Sequence, residues 1–297
     1  MVDFLTAVQA GIETGAIYAL VALGLGITYA TSNAFNFAHG EFVMVGAVLG
    51  VVLWQSMDVP VGLALLLTVF VASAAGAATE RVAIRPFAAV KDAAGWMIAT
   101  LGVAIMLTAG FTIAITREPG STDTRLFPSF LPRDRPWIVG EFLLNPNRML
   151  LVGLLVVVAG GLLWLTKRTH VGRALGAVAD DREAAAIRGI PVNRLTMLAF
   201  AIGAAVAALT GFAMGPVTQA SVTIGLGLTI KGFVASAIGG MGSLGGAVVG
   251  GLALGLTEQF ALRYLGTQWQ DLIILAVLLV MLSIKPEGFF SRDVRAV

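Results

Sequence analysis

Nine apolar stretches separated by short polar breaks fill most of this 297-residue chain, and they leave few folds open to it. They run at about 5–30, 42–56, 60–80, 95–116, 148–166, 194–215, 228–240, 245–262 and 269–284, where crossing the hydrocarbon core of a bilayer takes about 20 mostly apolar residues. Lipid offers the backbone no hydrogen-bond partners, so a spanning segment must satisfy its own N–H and C=O groups, and long unbroken apolar runs do this as helices. The composition agrees. The chain is 58% hydrophobic and 12% charged, about half the charge of a soluble domain. Its 36 glycines suit helices that approach closely in lipid. The expected fold is all-α: a polytopic integral membrane protein of eight to ten helical segments in a single domain, 1–297.

The stretches at 42–56 and 228–240 are short for full spans. Each borders a glycine-bearing break, Ala38-His39-Gly40 in one case and Gly239-Gly240-Met241-Gly242-Ser243-Leu244-Gly245-Gly246 in the other. Broken or re-entrant helices are expected there, because irregular backbone at membrane depth survives only where protein or a water-filled cavity covers it. The opening Met1-Val2-Asp3-Phe4 has no basic run, so the first apolar stretch reads as a span and not as a cleavable signal.

Basic residues set the orientation. Arg81, Arg85, Lys91, Lys167, Arg168, Arg173, Arg182, Arg188, Arg194, Lys285, Arg292 and Arg295 fall in one set of loops. Arg117, Arg125, Arg133, Arg135, Arg148 and Arg263 fall in the other. The richer set is expected to be cytoplasmic, with the C-terminus inside and the N-terminus outside. The loop at about 117–147, with Pro119, Pro128, Pro132, Pro136 and Pro146, is then an extended or turn-rich outer cap.

Four constellations carry candidate function. The first is the charged, Ala-rich hairpin at 167–193. Gly172 can end the preceding turn, Asp180 or Asp181 can cap a short helix through Glu183-Ala184-Ala185-Ala186-Ile187-Arg188, and Gly189 with Pro191 can stop it. Such a helix presents a thin alanine face to a groove on a soluble partner; the alternative is a plain connector. The second is the polar break Asn33 to Phe42, where Asn36, His39 and Glu41 either meet a solute at a helix N-terminus or bond across helices and lock the fold. The third is the glycine run Gly239, Gly240, Gly242, Gly245 and Gly246. It lacks the Lys-Ser or Lys-Thr of a phosphate loop and reads as close packing or a gating hinge. The fourth is a set of ionisable groups in apolar context. Glu13 lies about a turn and a half before Tyr18 on the first span, Lys231 reads as a lysine snorkelling to the outer surface, and Glu258 stands alone. These are too few facing carboxylates for an ion relay, which makes an ion-coupled secondary transporter a minor alternative. With no cysteine, two histidines (His39 and His170) and no workable catalytic set, neither hydrolytic nor metal chemistry is expected, and a net charge of +2 gives no reason for nucleic acid.

Three of these segments carry a family resemblance. Gly15-Ala16-Ile17-Tyr18-Ala19-Leu20-Val21-Ala22-Leu23-Gly24-Leu25 followed by Asn36-Phe37-Ala38-His39-Gly40-Glu41, the hairpin from Gly172-Arg173-Ala174 through Asp181-Arg182-Glu183-Ala184-Ala185 to Gly189-Ile190, and Ile238-Gly239-Gly240-Met241-Gly242-Ser243-Leu244-Gly245-Gly246-Ala247 resemble the branched-chain amino acid ABC permeases, in order and over nearly the whole chain. The first subunit of that family's permease pair is the better fit. The resemblance implies a non-enzymatic transport subunit of a bacterial inner membrane, carrying branched-chain amino acids, or, in relatives, urea, short amides or aromatic acids. It implies a second homologous permease, two cytoplasmic ATPases that bind ATP and Mg, and a periplasmic or lipid-anchored solute-binding protein. It makes 167–193 an ATPase-coupling loop, with Gly172, Arg173, Ala174, Asp181, Glu183, Ala184, Ala185 and Gly189 as coupling residues. Tyr18, Asn36, His39 and Glu41 become candidates for the solute path, and no cofactor is expected in the chain itself.

Overall fold

The computed structural model describes residues 2–87, 94–116, 124–131, 137–139, 142–285 and 288–290. Eleven helices follow in chain order: α1 (Val2–Ser32), α2 (His39–Val51), α3 (Val61–Thr79), α4 (Gly95–Thr116), α5 (Pro146–Arg168), α6 (His170–Asp180), α7 (Arg182–Ile187), α8 (Val192–Thr218), α9 (Ile224–Gly239), α10 (Leu244–Tyr264) and α11 (Gln270–Ile284). Strands β1 (Thr124–Arg125) and β4 (Ala220–Ser221) pair antiparallel, as do β2 (Trp137–Val139) and β3 (Phe142–Leu144). Eight helical segments among the described residues are long and apolar enough to cross a membrane, so the all-α polytopic architecture holds. α9 is the exception. Its 16 residues make about 24 Å of helix, short of a ~30 Å hydrocarbon core.

α1 is the axis of the bundle. Its stretch Ala16–Leu23 is buried on every side, and α10, α8, α9 and α5 surround it. Small residues set the spacing. Gly15 lies against Gly251, Leu252 and Gly255 of α10, and Gly251 against Ala19, so backbones touch where side chains would otherwise hold them apart. α2 lies on α8 in the same way, Gly211 facing the Val43 carbonyl and Gly46 facing Ala208. The outward faces of α3, α4 and α5 carry Leu66, Phe70, Ile98, Met106, Val156 and Trp164, exposed apolar side chains that suit contact with lipid chains.

Two expectations change. The stretch at 42–56 is not too short to cross. α2 starts earlier, at His39, and a π-helical turn at Val52–Ser56, where the Met57 N–H reaches the Val52 carbonyl at 3.0 Å, extends it to 18 residues. Pro146 is not part of the outer cap. It takes the first position of α5 behind the cap Asn145, where a missing N–H costs nothing. The Pro119, Pro132 and Pro136 positions and Lys91, Arg117, Arg133, Arg135, Arg292 and Arg295 lie outside the described residues.

A β-branched residue at the α2–α8 contact must push two backbones apart. Gly211→Val is expected to lower the melting temperature of the purified protein by at least about 5 °C or to prevent its accumulation. Gly153→Val on α5, where an added Cβ meets nothing within 4 Å, should stay within about 2 °C of the parent.

Candidate functional site: a latched inner loop and a mid-depth helix junction

The 167–193 segment folds as two helices at a corner. Thr169 joins them. Its Oγ1 donates to the Leu165 carbonyl at 2.7 Å, closing α5, and accepts the Gly172 N–H at 2.9 Å, opening α6. Gly172 therefore does not end a turn as expected; it lies in the first turn of α6, pressed so closely on the Leu165 carbonyl that any Cβ would overlap it. α6 buries Gly172, Leu175 and Val178 and leaves Arg173 outside, beside His170. Asp181, not Asp180, caps α7, accepting the N–H groups of Glu183 and Ala184 at 2.9 Å each. Gly189, at φ +79°, stops it.

The alanine face is distributed differently from the sequence expectation. Ala185 is buried against the body and unavailable to any partner, while Ala174 and Ala184 are half-buried. Ile187, which the sequence reading passed over, is 87% exposed, with Arg188 and Gly189 beside it. An apolar side chain this open at the tip of a polar loop is the feature a partner groove would cover.

Arg182, which the sequence reading placed only among the loop basics and in the hairpin motif, ties this loop to the bundle. Its Nη1 donates to the Thr31 carbonyl at 2.9 Å and to the Thr196 hydroxyl at 3.3 Å, and its Nη2 to Asn193 Oδ1 at 3.3 Å. Thr31 belongs to the last turn of α1, whose carbonyls lack helical partners and carry the negative end of the dipole, so a guanidinium suits it. Partial burial pulls this guanidinium below the ordinary arginine value; Glu80 opposes that shift and Arg85 adds to it. Glu80 is itself buried and paired with Arg85 at 2.7 Å, and Arg85 reaches the Asn193 carbonyl at 3.4 Å. The ends of α1 and α3 and the start of α8 therefore share one polar knot with α7.

Of the four candidate path residues, Glu41 and Tyr18 touch α9, at Gly225 and Lys231. In the break between α1 and α2, Asn36 Oδ1 accepts the Ala38 N–H at 3.1 Å. His39 is fully buried, its ring lying against Gly24 of α1. Gly24 stands eight residues before the end of α1, so α2 begins roughly 12 Å inward from that end. The Gly40 N–H donates to Thr229 Oγ1 of α9 at 2.8 Å. Glu41 Oε2 accepts from Thr108 of α4 at 2.9 Å, and the carboxylate fits only because Gly225 of α9 has no side chain. Tyr18 does not join the other three; its hydroxyl meets Lys231, further along α9, at 3.1 Å. Lys231 does not snorkel. Its ammonium turns inward to Glu258 of α10 at 2.7 Å. Glu13 also has a partner, Arg148 of α5, at 2.9 Å.

The glycine run divides by position. Gly239 and Gly246 press α9 onto α10, Gly240 and Gly242 take positive φ in the turn, and a Cβ at Gly245 meets nothing. Ser243 caps α10 by accepting the Gly246 N–H at 3.1 Å.

A profile of the branched-chain amino acid transport system permease component family matches residues 8–282. The chain belongs to that family. The LivH permease of the high-affinity branched-chain amino acid transport system of Escherichia coli is 34% identical over 97% of this chain and 96% of its own length. LivH of Salmonella typhimurium is 33% identical over the same shares, and BraD of Pseudomonas aeruginosa 31% identical over 95% and 94%. PsaBC of Streptococcus pneumoniae, solved in complex with a Fab, shares the fold, with a TM-score of 0.52 at 15% identity, covering 97% of this chain and 92% of that one. The helix breaks, the glycine contacts and the 167–193 loop all fall within the matched span.

Arg182→Met keeps the aliphatic stem and removes the guanidinium. Hydrogen exchange across residues 181–190 should then speed up by about tenfold, the loss of charge-assisted bonds, while the spans keep their protection. Equal protection in parent and variant would show that the knot does not hold α7.

Proposed function

We propose that this permease is the membrane-spanning subunit of an ATP-driven importer of branched-chain amino acids in a bacterial inner membrane. The observation that carries the proposal is the inner loop. α7 presents Ile187 outward while Arg182 fastens the same short helix to the end of α1 and the start of α8. A push on α7 therefore acts on two spans at once. The partners this reading supplies are two cytoplasmic ATPases that hold ATP and Mg, a second related permease, and a periplasmic or lipid-anchored solute-binding protein. Loops carrying the basic excess, and with them the C-terminus, face the cytoplasm. Near full-length similarity to LivH and BraD selects branched-chain amino acids over urea, amides or aromatic acids. The chain's part is transport and not chemistry.

Coupling follows from two states. The ATPase dimer grips α7 differently when closed and when open, and only such a difference in contacts can shift the permease between outward and inward access. α1 and α8 are both tied to Arg182 and meet each other at Gly24 and Gly203, and they are the spans moved first.

Co-expression with the three partner components, reconstitution into liposomes and measurement of ATP-dependent leucine uptake test the reading. Ile187→Asp should insert normally, since its site is exposed in the free chain, yet lower uptake by at least about tenfold, with less ATPase co-purifying. Uptake at the parent rate in that variant would remove α7 from the ATPase interface.

A further inference from the structure

Lys231, Glu258 and Tyr18 form a charged cluster to which the coupling mechanism assigns no role. Lys231 Nζ donates to Glu258 Oε1 at 2.7 Å and to the Tyr18 hydroxyl at 3.1 Å, and Gln270 of α11 donates to the same carboxylate oxygen. The cluster is not closed. Glu258 Oε2 is buried with no hydrogen-bond partner among the described residues, and the Lys231 side chain keeps 22% of its surface exposed. A lysine partly open at span depth is costly against lipid and tolerable against water or protein.

The surface beside it is shaped for a small amphiphile. Gly227, one turn before Lys231 on the same side of α9, leaves open space, since an added Cβ there meets nothing within 4 Å. Leu226 and Ile230, on the adjoining row, are exposed and apolar. α9 is also too short to span, and short helices of this kind border solute paths, not lipid.

We propose that this open face of α9 lines the solute path, with Lys231 and Glu258 receiving the carboxylate and the ammonium of a zwitterionic amino acid and Leu226 and Ile230 its branched side chain. The insertion balances. Two opposite charges that pair with each other in the empty permease pair instead with the two charges of the solute, and no charge is left alone. Glu258 Oε2 is buried in the empty permease and becomes an acceptor for the ammonium as Lys231 turns to the solute carboxylate, for which the Gly227 gap gives room. This inference rests on the amino acid reading above and goes beyond it in naming where the solute is held.

The chain has no cysteine, so Gly227→Cys gives it a single reporter thiol. In the complete transporter, in lipid nanodiscs, a charged membrane-impermeant thiosulfonate should modify that thiol. Loaded leucine-binding protein with ATP should slow the modification by about fivefold or more as solute occupies the path. Adding Lys231→Gln should abolish the protection and adding Lys231→Arg should keep it, a pattern that a purely structural ion pair does not generate. Modification only by a lipid-soluble maleimide would mean that α9 faces lipid and would overturn the proposal. So would a rate indifferent to leucine in a transporter that takes leucine up. Absence of leucine uptake by the unmutated complex would instead overturn the functional reading on which the proposal rests. If Lys231→Gln fails to assemble, the Gly227→Cys rates with and without leucine, in the Lys231 and Lys231→Arg backgrounds, still decide.

Discussion

Backbone-to-backbone contact between helices is the constraint on which the rest of this permease depends. In lipid, one apolar surface gains little by meeting another, so packing must come from close approach and dispersion. α1 meets α10 through Gly15, Ala19, Gly251 and Gly255, and α2 meets α8 through Gly46 and Gly211. Side chains of ordinary size at these positions would separate the axes and open the polar break between α1 and α2 to hydrocarbon. The glycines therefore do more than tighten the bundle: they allow His39, Asn36 and Glu41 to be buried at all.

Burying those groups fixes where helices begin. α2 opens inside the bundle because Thr229 takes the Gly40 N–H and Thr108 takes the Glu41 carboxylate. α9 runs beside this opening and supplies Gly225 and Thr229 to it and Lys231 to the next cluster. One half-length helix thus meets the Gly40 N–H, the Glu41 carboxylate and the Tyr18 hydroxyl. Its remaining length is packed: Leu228, Val234, Ala235 and Ile238 are buried in the core, and Gly239 and Ala235 meet Gly246 and Gly250 of α10.

The sequence made the spans and the turning points readable because length, hydrophobicity and glycine or proline punctuation are local signals. The apolar runs, the cap at Asp181 and the stop at Gly189 needed no knowledge of neighbours. Partners were a different matter. Glu13, Lys231 and Glu258 each looked isolated in an apolar run, yet Glu13 pairs with Arg148 and Lys231 with Glu258, each from another helix. No spacing rule links residue 231 to 258 or 182 to 31. The tie made by Arg182 was invisible for that reason, since its meaning lies in the Thr31 carbonyl at the end of a helix that is 151 residues away in sequence. Ile187 was missed for the opposite reason. In an alanine-rich helix it drew no separate reading, and only the turn of α7 on its latch sends Ala185 inward and Ile187 out.

The two sites are joined by one rod. Thr31, held by the inner loop, and Tyr18, held by Lys231, lie on the same α1 helix about 20 Å apart. Helices resist compression along their axes, so a displacement at Arg182 is carried along α1 toward Tyr18. Between α1 and α9 the Tyr18–Lys231 bond lies beside the close packing of Val21 on Gly232, so a shift of α1 against α9 changes both contacts together. The inner loop would then govern the lysine's choice of partner through a single rigid element, with no need for a chain of intermediate rearrangements.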